Sequence, residues 1–372
     1  MAFDHVFLAR PESPPDGIPL AVKDLFDTAG LTTTYGSVIF ADHVPSTSAT
    51  AVRRLEAAGY ANVGKTNLHE FAYGITSQNP HFGTVPNPLA PRRLAGGSSG
   101  GSAAALAAGE ADAALGTDSG GSIRIPAAWC GVVGFKPTYG LVPIDGCFPL
   151  APTYDHAGPM ARSVPDCTAM MEALVPGFEP RALSSLEQVE VGIAWTEACD
   201  PLVRARVEEA AALFPRSRRI DFPLAEQFGT MFMREVADVH RDLFAEHADL
   251  YGENVRIKVD RCLRVSDGEF EAARQAREEH RERCLDVLGD LDLVITPTLA
   301  FVAPTDDHDD LGLREASIRF TYPFNALGWP ALALPCGTAE HGLPASVQLA
   351  APQGRDALVL AAGALLEAQV AA

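Results

Sequence analysis

The chain has 372 residues, 47% of them apolar and 21% charged, a balance that fits a globular protein with a large buried core and argues against disorder. A formal net charge of −19 disfavours direct binding of nucleic acid, whose phosphates need clustered Lys and Arg. No apolar run approaches the roughly 20 residues that cross a bilayer, and the start, MAFDHVFLARPESPP, lacks a basic region followed by an apolar one. A soluble, cytoplasmic protein without a membrane partner is therefore expected. Its seven cysteines are scattered with no C-x-x-C pair and read as free thiols.

The first readable unit runs from Ile18 to about Gly140, where strand-like pieces alternate with helical patterns. Gly17–Asp24 (GIPLAVKD) is a short buried strand that ends in charge. In Ser48–Gly59 the residues Ala51, Val52, Leu55 and Ala58 fall at helical spacing, with Gly59 placed to end the helix. Tyr60–Val63 is again strand-like. Strand, helix, strand predicts a βαβ unit and an α/β sheet. Ser102–Gly109 (SAAALAAG) is small and apolar on every face, so as a helix it should be buried.

Residues 171–230 carry a weaker pattern, a short strand at Val189–Ala194 among polar linkers, and are the expected site of insertion or shortening. A helical stretch follows from about Thr230 to Gly289, with Ser266-Asp-Gly-Glu269 spaced as a capping box. Strands are predicted at Leu291–Ile295, Ala331–Pro335 and Ala345–Leu349, and a last helix at Ala357–Ala368. Core strands thus come from both ends of the chain. One large α/β domain over 1–372 is expected, with a mixed central β-sheet covered by helices.

The block Leu94–Pro126 holds two Gly-Gly-Ser loops separated by the small-residue helix and the strand-like Ala113–Gly116. Glycine pairs let backbone N–H groups converge on one point, which is how an oxyanion is held without side chains. Gly97-Ser98-Ser99-Gly100-Gly101 also fits G-x-S-x-G with Ser99 as nucleophile. That elbow must follow a buried strand, however, and the three prolines in Pro86–Arg93 cannot supply one. Gly59–Thr66 matches G-x-x-x-x-G-K-T literally, yet a helix precedes it and its middle reads as strand, the reverse of a phosphate loop. Lys65 and Asn67 are then structural residues at a strand end.

None of the ten histidines forms an H-E-x-x-H or comparable pair, so no metal or other cofactor is expected; His81 and His156 read singly as structural, and Cys130 as a small buried thiol. A serine hydroxyl still needs a base, and a lysine serves when burial lowers its pKa. Lys23 ends an apolar strand that can carry it inward. Its alternative is a solvated salt bridge with Asp24 or Asp27.

Taken together, VKD, GGSSGGSAAA and GTDSGGSIRIP resemble the amidase signature family, and Lys23, Ser98 and Ser122 match the spacing of its Ser-Ser-Lys triad, with the two serines 24 residues apart. The stretches Leu68–Gly74, Asn79–Asn87, Gly131–Pro137, Asp155–Val164, Thr296–Thr298, Phe324–Pro335 and Gly342–Leu349 extend the resemblance over most of the chain. It implies Ser122 as nucleophile, Ser98 as a relay joined to Gly97 by a cis peptide, and Lys23 as base. The N–H groups of Ser119, Gly120, Gly121 and Ser122 correspond to the oxyanion hole, and Ser99, Thr117, Asp118 and Arg124 to its supporting shell.

The implied activity is hydrolysis of a small-molecule amide or related C–N bond through an acyl-enzyme. The alternatives within the family are the glutaminase-type A subunit of glutamyl-tRNA amidotransferase and a carbamate or ester hydrolase. Only 22 residues precede Lys23, so the family's usual N-terminal helical segment is nearly absent; a more open pocket or a shifted surface in a homodimer would follow. Acyl-group contacts are expected from Ile144–Tyr154 and the helical region up to Phe324, through Phe148, Tyr154 and Tyr322. Ile125 stands where glutamine-using relatives commonly carry a polar residue, which predicts a neutral, partly apolar amide.

Overall fold

The computed structural model describes residues 5–13, 15–225 and 229–370; Met1–Asp4, the first residues of the starting stretch considered above, lie outside the described residues. Strand β1 (Phe7–Ala9) precedes β2 (Ile18–Lys23), α1 (Thr50–Ala57) and β3 (Tyr60–Thr66). β2 and β3 pair in parallel, as a βαβ unit requires. α1 buries Ala51, Val52 and Leu55, and Gly59 behind it adopts φ 91°. β3 runs on through Lys65 and Thr66 because both side chains are taken fully into the interior instead of ending in solvent.

A small hairpin, β4 (Gln78–Asn79) and β5 (Gly83–Thr84), leads to α2 (Gly100–Ala107), β6 (Ala113–Asp118), α3 (Arg124–Cys130), β7 (Val133–Lys136), β8 (His156–Ala161) and α4 (Val164–Leu174). The weakly patterned region holds β9 (Val191–Ile193), α5 (Pro201–Ala212) and β10 (Ser217–Arg219). Three helices then follow, α6 (Gly229–His247), α7 (Glu253–Cys262) and α8 (Asp267–Leu288), the last opened by the Ser266–Glu269 capping box. The chain closes through β11 (Leu293–Pro297), α9 (Asp310–Ile318), α10 (Tyr322–Ala326), β12 (Ala331–Thr338), β13 (Pro344–Ala350) and α11 (Asp356–Val370).

Eleven of the described strands form one sheet in the order β1-β3-β2-β6-β8-β7-β12-β13-β11-β9-β10. It is mixed: β3, β2 and β6 are parallel, the ladders from β6 through β11 are antiparallel, and β11, β9 and β10 are parallel again. Strands from both ends of the chain meet in this sheet, whose faces pack into separate apolar clusters. Side chains alternate between its faces. Leu20, Val22 and Leu115 face a core shared with α1 and α4, whereas Ala21 and Ala114 meet Ala103–Leu106 of α2. Small residues on both surfaces let α2 approach closely. The loop before it is thereby laid over the C-terminal ends of β2 and β6, where α/β sheets commonly place their sites.

Where β6, β8 and β7 pack side by side, Gly158 leaves no room for a side chain: a Cβ there would sit 2.3 Å from the Phe135 carbonyl oxygen. Gly158→Ala should lower stability by about 1–3 kcal/mol, as overpacking typically does, read as a lower urea midpoint. An unchanged midpoint would mean that this part of the sheet yields easily.

Candidate active site

β2 and β6 lie side by side in parallel, with Val22 opposite Leu115, so Lys23 and Thr117 are carried to the same end of the sheet. Lys23 is 0% exposed. Its Nζ lies 2.6 Å from Ser98 Oγ and 2.7 Å from Thr117 Oγ1, two neutral hydroxyls. The salt bridge that was the alternative does not form. Asp24 instead pairs with Lys65 at 2.9 Å and accepts from Thr34, and Asp27 accepts from the Tyr35 hydroxyl. Without a carboxylate in contact, burial lowers the Lys23 amine to about 7 although negative groups nearby, among them Asp118 and Asp155, pull the other way.

The Gly97–Ser98 peptide is cis, and the Ser98 carbonyl accepts from His69 N at 3.2 Å and Ser77 Oγ at 3.3 Å. Ser99 is not free to act as a nucleophile: its Oγ donates to the Thr117 carbonyl at 3.2 Å beneath the first turn of α2. Its N–H donates to the Ser122 carbonyl at 3.2 Å and ties the two glycine loops together. Ser122 is 6% exposed, and no hydrogen bond to its hydroxyl is recorded among the described residues. Lys23 and Ser98 are thus joined directly. Ser98 and Ser122 are brought to neighbouring loops without a side-chain hydrogen bond between them.

The loop Ser119–Ile123 is held from beneath by one carboxylate. Asp118 accepts from the N–H groups of Gly121 at 2.7 Å and Ile123 at 3.1 Å, and forms a two-pronged pair with Arg124 at 2.9 and 3.0 Å. Burial raises this carboxyl, but Arg124, Lys136 and Asn325 outweigh that effect and hold it well below the usual carboxylate range. Arg124 is completed by the Thr321 carbonyl, Gln348 Oε1 and Asn325 Oδ1 at 2.7–2.9 Å. Thr321 Oγ1 also donates to the Gly120 carbonyl at 2.6 Å, and Ser119 Oγ to Asp155 at 2.6 Å. Gly121, at φ 135°, leaves no room for a Cβ, which would fall 2.3 Å from Thr321 Oγ1.

Four expectations change. The Gly121 N–H, expected in the oxyanion hole, is directed at Asp118; the N–H groups of Ser119, Gly120 and Ser122 have no recorded partner among the described residues. Ile125 is fully buried in the main core because α3 starts immediately after the loop and turns it inward, so it cannot report on the substrate. The expectation of a neutral, apolar amide loses its basis. Tyr154 is likewise 0% exposed, stacked on Tyr322 at 5.6 Å with Arg277 over its ring at 4.3 Å. Phe148 packs at 4.9 Å on Tyr35 and 5.1 Å on Phe71, and borders a narrow cleft beside Thr117, Ser119 and Asp155. Tyr322 borders a larger cavity of about 900 Å³.

Sequence reading named Lys23, Ser98, Ser122, Ser99, Thr117, Asp118 and Arg124 but assigned no role to Thr321, Asn325, Gln348 or Asp155. The available signal was their place in or beside family-like stretches, Asp155–Val164, Phe324–Pro335 and Gly342–Leu349. No metal-binding cluster of His, Cys, Asp and Glu occurs among the described residues, and no described helix is long and apolar enough to cross a membrane.

Comparison with known proteins agrees with this architecture. A family model described as Amidase matches residues 2–217 and 179–360. The A subunit of glutamyl-tRNA(Gln) amidotransferase from Synechococcus sp. (strain RCC307) is 34% identical over 406 residues, covering 94% of this chain and 83% of that protein. Its namesake from Thermus thermophilus is 35% identical over 403 residues, covering 96% and 85%. A solved structure described as a crystal structure of amidase superposes with a TM-score of 0.87 at 37% identity, covering 95% of this chain and 84% of that one.

The Asp118–Arg124 pair is fully buried, so removing one partner leaves the other charged and unsolvated. Arg124→Met should destabilise the chain by about 3–5 kcal/mol, seen as a lower urea midpoint. A loss below about 1 kcal/mol, the range of exposed pairs, would show that the loop does not depend on this charge.

Proposed function

Because the chain belongs to the amidase family, we propose that it hydrolyses a carboxylic amide or a related C–N bond through an acyl-enzyme on Ser122, with Lys23 as base and Ser98 as relay. The observation that carries this reading is the Lys23 amine, buried against two hydroxyls and lowered to about 7. At that value a large fraction is neutral near physiological pH. The neutral nitrogen has a lone pair into which the Ser98 O–H can donate, and Thr117 fixes the amine from the other side.

In the proposed reaction Ser122 Oγ attacks the carbonyl carbon while its proton passes to Ser98 and the Ser98 proton passes to Lys23. The negative charge that develops on the carbonyl oxygen is met by the unengaged N–H groups of Ser119, Gly120 and Ser122; one such donor is typically worth about 3–4 kcal/mol. Collapse of the tetrahedral species breaks the C–N bond as the proton held on Lys23 returns through Ser98 to the leaving nitrogen. Water, deprotonated by the same route, then cleaves the acyl-enzyme and frees Ser122. Esters and carbamates present the same carbonyl and fall within the reading.

A second reading, release of ammonia from glutamine for a partner subunit, is supported by the names of the relatives at 34% and 35% identity. Assay of the purified chain alone separates the two: turnover of simple amides without companions favours the first, and glutaminase activity that requires added subunits favours the second.

Ser122→Ala should abolish turnover with the fold intact, and an acyl adduct trapped in the wild type should map to the peptide containing Ser122. An adduct on Ser99 would instead revive the elbow reading. Lys23→Arg, unable to deprotonate, should be inert. For the wild type kcat/KM should rise with pH through about 7 and level off above it, because the protonated amine cannot accept the Ser98 proton. A profile flat from pH 5 to 9 would remove Lys23 as the base.

A further inference from the structure

Tyr322, which borders the 900 Å³ cavity, also stands beside the nucleophile loop: its Cδ2 is 3.7 Å from where a Cβ on Gly120 would stand. Its size suits a small organic molecule. Its charge is the reverse of the chain's. Against a net charge of −19, the described lining residues include Lys258, Arg261, Arg314 and Arg319, with Glu315 as the one carboxylate among them.

These cations are not equivalent. Lys258 is already neutralised: its Nζ is 2.8 Å from Asp310 and also donates to the Tyr73 carbonyl, and burial lowers it to about 8. Arg314 is half-buried and has no recorded ion pair or hydrogen bond among the described residues; it lies over the faces of Tyr73 at 5.1 Å and Phe232 at 5.8 Å, within electrostatic reach of the Asp310 that Lys258 engages. Stacked in this way, the guanidinium keeps its N–H edge available while its position is set by the rings. Arg261 and Arg319 are exposed and also lack an ion pair among the described residues. Among the described lining residues, three guanidinium groups therefore stand against a single exposed carboxylate.

We propose that this cavity binds a carboxylate of the substrate remote from the bond that is cleaved, with Arg314 as its principal partner and Arg261 and Arg319 at the mouth drawing the anion in. A planar, two-pronged donor matches a carboxylate in geometry as well as charge, and a semi-enclosed site lined by rings screens the pair less than open solvent does. The inference rests on the acyl-enzyme reading for the position of the scissile bond. The substrate class becomes an amide that bears a carboxylate, in place of the neutral amide expected from Ile125.

The test uses the full chain carrying Ser122→Ala, so that binding is read without turnover. Isothermal titration compares the monoamides of succinic, glutaric, adipic and pimelic acid with butanamide, pentanamide, hexanamide and heptanamide. At least one carboxylate-bearing amide should bind at least about tenfold more tightly than its alkyl counterpart, in the range of a charge-assisted hydrogen bond. Adding Arg314→Gln should bring that ratio towards one, and Arg314→Lys should restore part of it. If Arg314→Gln fails to fold, Arg261→Gln with Arg319→Gln, both at exposed positions, should still lower the ratio. Equal binding across every matched pair, or a preference unaffected by these substitutions, would overturn the inference. Labelling of Ser122 in the wild type by a fluorophosphonate tests the hydrolase reading separately. Labelling without a carboxylate preference sinks only this inference, whereas a preference without labelling leaves the anion site standing and removes the hydrolase.

Discussion

An amine placed in a dry interior without a counter-ion is the constraint around which this molecule is arranged. The chain contains four lysines, and all four are buried. Lys65 and Lys258 face Asp24 and Asp310, and Lys136 donates to the carbonyls of Pro137 and Trp329. Only Lys23 among them is bonded to two side-chain hydroxyls, one belonging to Ser98. Desolvation then favours the uncharged amine, since a buried ammonium without a partner is costly. The chemistry attributed to the site follows from that preference, because a neutral amine can take a proton where an ammonium cannot.

The loop beside it is built on the opposite principle. Asp118 and Arg124 keep their charges in the interior because each satisfies the other in two-pronged geometry and the remaining donors and acceptors are taken by Thr321, Asn325, Gln348 and the loop's own N–H groups. Such a network is sensitive to every member, and one half-satisfied would be worse than none. It fixes the backbone of Ser119–Ser122 so that the remaining N–H groups are oriented before any substrate arrives. The pair sets geometry, and moving protons is the role proposed for the lysine.

Much of this was legible in the residues. The family resemblance named Lys23, Ser98 and Ser122, of which the first two are hydrogen-bonded directly; the small-residue helix was rightly read as buried, and the βαβ unit and the Ser266 capping box followed from pattern alone. What escaped has physical reasons. Thr321, Asn325 and Gln348 reach Arg124 from about 200 residues away, a convergence that no local pattern encodes. Ile125 was misplaced because a helix beginning at Arg124, after a loop rich in glycine, has no amphipathic signal by which to orient it. Arg261 and Arg314 stand on separate helices, α7 and α9, and only the fold turns them toward one cavity.

The most direct measurement is the ionisation of Lys23 itself. With lysine labelled with ¹³C at Cε, four resonances are expected in an NMR titration, and the one lost in Lys23→Arg is assigned to Lys23. The account predicts that this resonance shifts from the ammonium to the amine position with a midpoint near 7. A Lys23 that stays an ammonium up to the ordinary lysine value of about 10.4 would contradict it, since Ser98 would then have no base to relay to.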